Sequence, residues 1–175
     1  MIGNALSGGH GDLALAVLTG EPMGLIEMSI SGGTIRDELE SRGIFSSDEP
    51  GAQEVKKEIS ERITSERKQA IKYMALDCVA HGRMMTFGTL QVPSDAWRAR
   101  NRGQTGVSHS GGELKLGGIA HKHVYEVVTA DQDTITIRNP WQQYGRVRGL
   151  IVEDAISVLS WEEAFEVLSN FGFLR

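Results

Sequence analysis

Two residues of this chain have the type and spacing for acid–base chemistry, His123 and Asn139. The runs from Val124 to Thr129 and from Asp133 to Arg138 are strand-like, and Ala130-Asp131-Gln132 joins them, which predicts a β-hairpin. With the loop centred on Asp131, His123 and Asn139 face each other directly across the strands, with Cβ atoms about 5 Å apart. An asparagine side-chain oxygen accepts from one imidazole nitrogen. That fixes the tautomer and leaves the other nitrogen to exchange a proton with a thiol. The pair is the base and its orienter in a Cys-His-Asn arrangement. Pro140 stiffens the chain after the asparagine, and Trp141 stands where it would cover the His–Asn bond from water. The same residues have a plainer reading, in which the histidine is structural or exposed and Asn-Pro opens a turn. Spacing alone leaves both open.

The elements that must hold this hairpin are legible to different degrees. Residues 53–81 read as a long helix, because Val55, Ile59, Ile63, Ile71, Met74, Ala75 and Cys78 recur mostly at spacings of three and four. Glu58, Arg62 and Glu66 form an opposite-charge ladder on its outer face, and Gly82 is placed to end it. A short helix capped by Asp12 is expected over 13–18, a strand over 25–30, a helical turn or two near 35–39, and a strand over 84–90. Residues 91–120, with Pro93 and many glycines, read mostly as loop. Strands are expected over 150–152 and 156–159. Ser160-Trp161-Glu162-Glu163 is a capping box that opens a helix burying Trp161, Ala164, Phe165 and Leu168, and a closing strand over 171–174 follows. The fold class is α+β, in a single domain spanning 1–175.

Composition excludes several classes. The chain has 175 residues, 40% hydrophobic and 23% charged, with net charge −5, which suits a globular domain and offers no broad basic field for nucleic acid. Arg98, Arg100 and Arg102 form a short basic run read as solvated surface. The single cysteine, Cys78, excludes an internal disulfide and Cys-rich metal motifs and fits a reducing compartment. It lies on the apolar stripe near the C-terminal end of the long helix, where burial and the negative end of the dipole both disfavour a thiolate. Nothing approaches the roughly 20 apolar residues needed to cross a bilayer, and Met1-Ile-Gly-Asn lacks the pattern of a signal peptide. The expected localisation is cytoplasmic, with secretion as an effector the alternative. His121 and His123 could share one side of a strand as metal ligands, but no third ligand has suitable spacing, so no metal is expected. His10, His81 and His109 read as surface or loop residues. Ser7 and Ser108 lack the elbow motif of a serine nucleophile.

Three ordered segments carry a family resemblance. His123-Val124-Tyr125-Glu126-Val127, followed by Ile135-Thr136-Ile137-Arg138-Asn139-Pro140-Trp141, resembles the His-x-Tyr-x-Val and Arg-Asn-Pro-Trp signatures of calpains, which are papain-like cysteine peptidases. Asn4-Ala5-Leu6-Ser7-Gly8-Gly9 and Leu18-Thr19-Gly20 resemble the calpain Ala-Leu-Ser-Gly-Gly and Phe-Thr-Gly segment. Leu159-Ser160-Trp161-Glu162-Glu163-Ala164-Phe165 is similar to the stretch that closes the calpain core. Residues 31–70 and 91–118 match poorly and read as divergent or inserted. Tyr125, two residues after His123, favours His123 over His121 as the family histidine.

The resemblance implies a twisted antiparallel sheet with flanking helices, hydrolysing peptide bonds. His123 would be the catalytic base and acid, Asn139 its orienter and Trp141 its shield. Gly8 and Gly9 would hold the substrate main chain. Lys122 stands where calpains usually carry a substrate-contacting glycine. The family also binds calcium, for which no acidic ligand set can be placed, so no cofactor is assigned. The family segment with the nucleophilic cysteine and the oxyanion-hole glutamine should precede Ala5 and is not among these residues. A Cys-bearing N-terminal segment or chain is therefore an expected partner, beside a polypeptide substrate. Self-association is the other way to cover an under-packed cleft face, and no nucleic acid or membrane partner is expected. The alternatives are a peptide-binding pseudopeptidase, or an acyltransferase or deamidase on the same scaffold.

Overall fold

The computed structural model describes residues 20–46, 48–104, 106–108, 114–140, 145–147, 150–152 and 156–175. The expected helix over 13–18, together with Gly8, Gly9, His10, His109 and Trp141, lies outside them. The fold is α+β. Six antiparallel strands form the main sheet in the order β1-β11-β2-β6-β7-β10. Their ranges are β1 Met23–Glu27, β2 Met85–Thr89, β6 Val124–Ala130, β7 Thr134–Arg138, β10 Ile156–Ser160 and β11 Leu168–Leu174. Small antiparallel units are formed by β3 (Val107–Ser108), β4 (Leu114–Leu116) and β5 (Ile119–Ala120), and by β8 (Gly145–Val147) and β9 (Leu150–Val152). Among the described residues four helices flank the sheets: α1 Gly32–Ser41, α2 Ala52–Ala80, α3 Asp95–Arg100 and α4 Trp161–Val167.

The apolar stripe of α2 is buried as its spacing predicts, at Ile59, Ile63, Ile71, Ala75 and Cys78. Removing each isoleucine from water contributes roughly 1.5–3 kcal/mol, an upper estimate. Beyond the helix, Gly82 takes φ 63, and the amides of Gly82 and Arg83 donate to the carbonyls of Val79 and Cys78 at 3.2 and 2.8 Å. This paired closure needs a left-handed residue, which glycine supplies without a Cβ clash. The charge ladder is only half made. Arg62 bonds Glu66 at 2.9 Å and Glu38 of α1 at 2.8 Å, whereas Glu58 is taken by Arg42 at 3.1 Å. Packing of α1 against α2 offered better partners than the next turn.

The connection over 91–120, expected to be mostly loop, holds short elements among its described residues. It carries α3 and the three-stranded unit, and Trp97 of α3 is fully buried. The Ser94 hydroxyl caps α3 by accepting from the Trp97 amide at 3.1 Å, and the Trp97 indole donates to the Leu116 carbonyl at 2.9 Å. Elements this short show no periodicity, so one aromatic and a capping serine organise the segment without a visible pattern. Leu168 also differs from expectation, opening β11 rather than lying on the α4 face. The capping box is present, with Ser160 accepting from the Glu163 amide and Glu163 accepting from the Ser160 amide.

The hairpin forms, but its register differs from the simple one. Asp131 Oδ1 accepts from the amides of Asp133 and Thr134 at 2.8 and 2.7 Å, so pairing begins with Ala130 opposite Ile135 and Thr129 opposite Thr136. The register then shifts between Val127 and Thr129, and Val127 faces Ile137 while Glu126 faces Arg138. Val128 is the extra residue of a β-bulge, and Val128 and Thr129 are exposed in succession. Without the bulge, the tip register would put His123 and Asn139 on opposite faces of the sheet. With it, Tyr125 falls opposite Asn139, and His123 lies one diagonal step away on the same face.

Candidate active site

His123 and Asn139 meet as the sequence predicts, diagonally rather than directly opposed. The His123 Nε2 to Asn139 Oδ1 distance is 3.1 Å, and the residues are 2% and 1% exposed. A carboxamide oxygen only accepts, so in the neutral tautomer Nε2 carries the proton and Nδ1 is the basic nitrogen. The edge of one ring meets the face of the other between His123 and Tyr125, at 5.0 Å between centroids and 89° between planes. The Tyr125 hydroxyl accepts from the Ala120 amide at 2.7 Å, which ties the ring to β5.

The backbone of His123 is clasped by a residue that sequence reasoning missed. The Thr89 amide donates to the His123 carbonyl at 2.8 Å, and the His123 amide donates to Thr89 Oγ1 at 3.0 Å. The same hydroxyl donates toward the carbonyls of Ala120 and His123, at 2.9 and 3.0 Å. A threonine ending a buried strand gives no signal of such a role, because β-propensity alone explains it.

Lys122 is exposed, and its backbone has φ 57, the only left-handed non-glycine among the described residues. Its amide donates to the Leu90 carbonyl at 2.8 Å. The conformation is the one a glycine takes without strain, so the backbone here is glycine-like although the residue is not.

His121 is fully buried, and neither ring nitrogen has a hydrogen-bond partner among the described residues. Burial, reinforced by the nearby Arg98 charge, pushes its pKa down to about 4. The Leu90 backbone opposes that shift without reaching hydrogen-bond geometry. His121 is thus a neutral core residue and lacks the acceptor that His123 has. Cys78 is fully buried, and burial raises its thiol pKa, with Arg83 partly opposing. It lines an open pocket of about 220 Å³ with Arg83, Met84, Met85, Val127 and Val128, and neither His123 nor Asn139 borders that pocket. Cys78 is not placed as the nucleophile.

Among the described residues, no three His, Cys, Asp or Glu side chains gather as a metal site. No described helix is long and apolar enough to cross a membrane. No protein-family model and no curated protein sequence matches this chain.

Proposed function

We propose that this chain is the histidine- and asparagine-bearing part of a calpain-like cysteine endopeptidase, completed by a Cys-bearing segment or partner chain. The observation that carries the reading is the buried 3.1 Å bond from His123 Nε2 to Asn139 Oδ1, on one sheet face. A structural histidine needs no acceptor that dictates its tautomer, and His121, two residues away, has none among the described residues. The order of the calpain-like segments around the pair supports the same reading.

In this mechanism the partner thiol gives its proton to His123 Nδ1, and the thiolate sulfur attacks the peptide carbonyl carbon. As the C–N bond breaks, Nδ1–H returns the proton to the leaving amine. The thioester is then hydrolysed by a water deprotonated at Nδ1, and the thiol is released. Asn139 holds the ring through both transfers and stabilises the imidazolium by accepting from Nε2–H.

The test is to combine this chain with a polypeptide carrying a calpain-type Gly-Asp-Cys-Trp segment, and to follow cleavage of an unfolded protein. Cleavage is expected only in the combination, and His123→Ala should lower its rate by about a thousandfold or more. A stable complex that binds peptide without cutting would replace this reading with the pseudopeptidase one. Transfer or deamidation products in place of new termini would replace it with the acyltransferase one.

A further inference from the structure

Lys122, which precedes the candidate base in the chain, and Arg98 are both anchored to the short link that follows β2. The Lys122 amide is bonded to the Leu90 carbonyl, and the Arg98 Nε donates to the Pro93 carbonyl at 3.2 Å, so both are tied to the same short link after β2. Arg98 lies near enough to His121 for its charge to act on that ring, and His121 adjoins Lys122 in the chain. Both side chains are exposed, and neither makes an ion pair among the described residues. Arg100, two residues along α3 from Arg98, behaves differently: Glu166 takes it at 2.7 Å and Glu162 approaches at 3.4 Å. In a chain of net charge −5, an exposed lysine adjoining the candidate base and an exposed arginine on the same link, neither paired with an acid among the described residues, leave local positive charge uncompensated there.

Lys122 also keeps a β-carbon at φ 57, where glycine would be unstrained. Strain retained at an exposed position next to a candidate base points to work done by the side chain rather than by the backbone. In the peptidase reading His123 hands its proton to the leaving amine, and Lys122 is the residue that precedes it in the chain.

We propose that Lys122, with Arg98 behind it, selects substrates bearing a carboxylate side chain on the leaving-amine side of the cleaved bond. This rests on the peptidase reading for its place in the reaction, but the charge preference itself is measurable without cleavage.

The experiment uses three dye-labelled peptides identical except for one central Glu, Gln or Lys, titrated into the chain by fluorescence polarisation. The Glu peptide should bind about fivefold tighter than the Gln peptide, and the Lys peptide weakest of the three. Lys122→Glu should invert the order, Arg98→Gln should shrink the spread, and about 0.5 M salt should erase it. Lys122→Gly should lose the preference while raising the thermal midpoint, because it relieves the left-handed strain. Equal affinities, no binding, a preference untouched by Lys122→Glu, or a lowered midpoint in Lys122→Gly would each overturn the proposal. In the completed enzyme, charge-ordered binding without cleavage would remove the peptidase reading alone. Cleavage indifferent to the three residues would remove the charge selection alone.

Discussion

Two stretches of the molecule meet at Lys122, and each presents a buried histidine there. The connection from β2 ends in His121, which has no ring partner among the described residues and a pKa near 4. The β6–β7 hairpin opens with His123, whose ring is held by Asn139, faced by Tyr125 and clasped at its backbone by Thr89. Burial is common to both. Burial alone favours the neutral imidazole, whereas an acceptor also fixes the tautomer and so the direction in which the basic nitrogen points.

The largest expected effect lies on the connection. Trp97→Ala removes the indole that anchors α3 to Leu116, and should destabilise the protein by about 3–5 kcal/mol in denaturant titration. Hydrogen exchange should then rise first in β4 and β5 while the β6–β7 amides stay protected. Equal loss in both regions would show that they fold as one unit.

Acid should affect His121 next. Its pKa is 6.5 unfolded and about 4 folded, so between those values the unfolded chain binds a proton that the native chain refuses. Stability therefore rises with pH across this window and is lost as pH falls from 6.5 toward 4, by roughly 3 kcal/mol at the limit. His121→Phe should flatten that part of the profile in urea melts at several pH values. An unchanged slope in His121→Phe would assign the acid sensitivity elsewhere.

Thr89→Val has the smallest expected effect on stability, about 1–3 kcal/mol for the lost hydroxyl bonds and the His123 amide left behind. Its informative readout is the nitrogen-15 spectrum of the His123 ring. The Nε2–H tautomer should dominate in the parent and lose population in the variant. A ring unchanged in Thr89→Val would mean that Asn139 alone orients the base.

Much of this was legible in the sequence, for identifiable reasons. Ser160 and Glu163 carry their own geometry at fixed spacing, and the α2 stripe repeats over enough turns to be unambiguous. The His–Asn pair was legible because the two strands around it are separated by a short polar tip. Its diagonal register was not, because Val127-Val128-Thr129 are all good strand formers and nothing marks Val128 as surplus. The short elements inside the connection left no signal because α3 spans six residues and its strands two or three, below any period. Arg62 takes a second partner on α1, and Glu58 pairs with Arg42 at the end of α1, which local spacing cannot foresee. The left-handed backbone of Lys122 was hidden by the residue type, although the glycine of the resembling family marked the place.

The bulge at Val128 has a consequence for how this hairpin can vary. It makes the His–Asn pair sensitive to whether the number of residues between tip and site is odd or even. One residue gained or lost on either strand sends one partner to the far side of the sheet, while two leave both where they can meet. Lineages that keep the pair should therefore change hairpin length in twos, or match a single insertion with a second bulge.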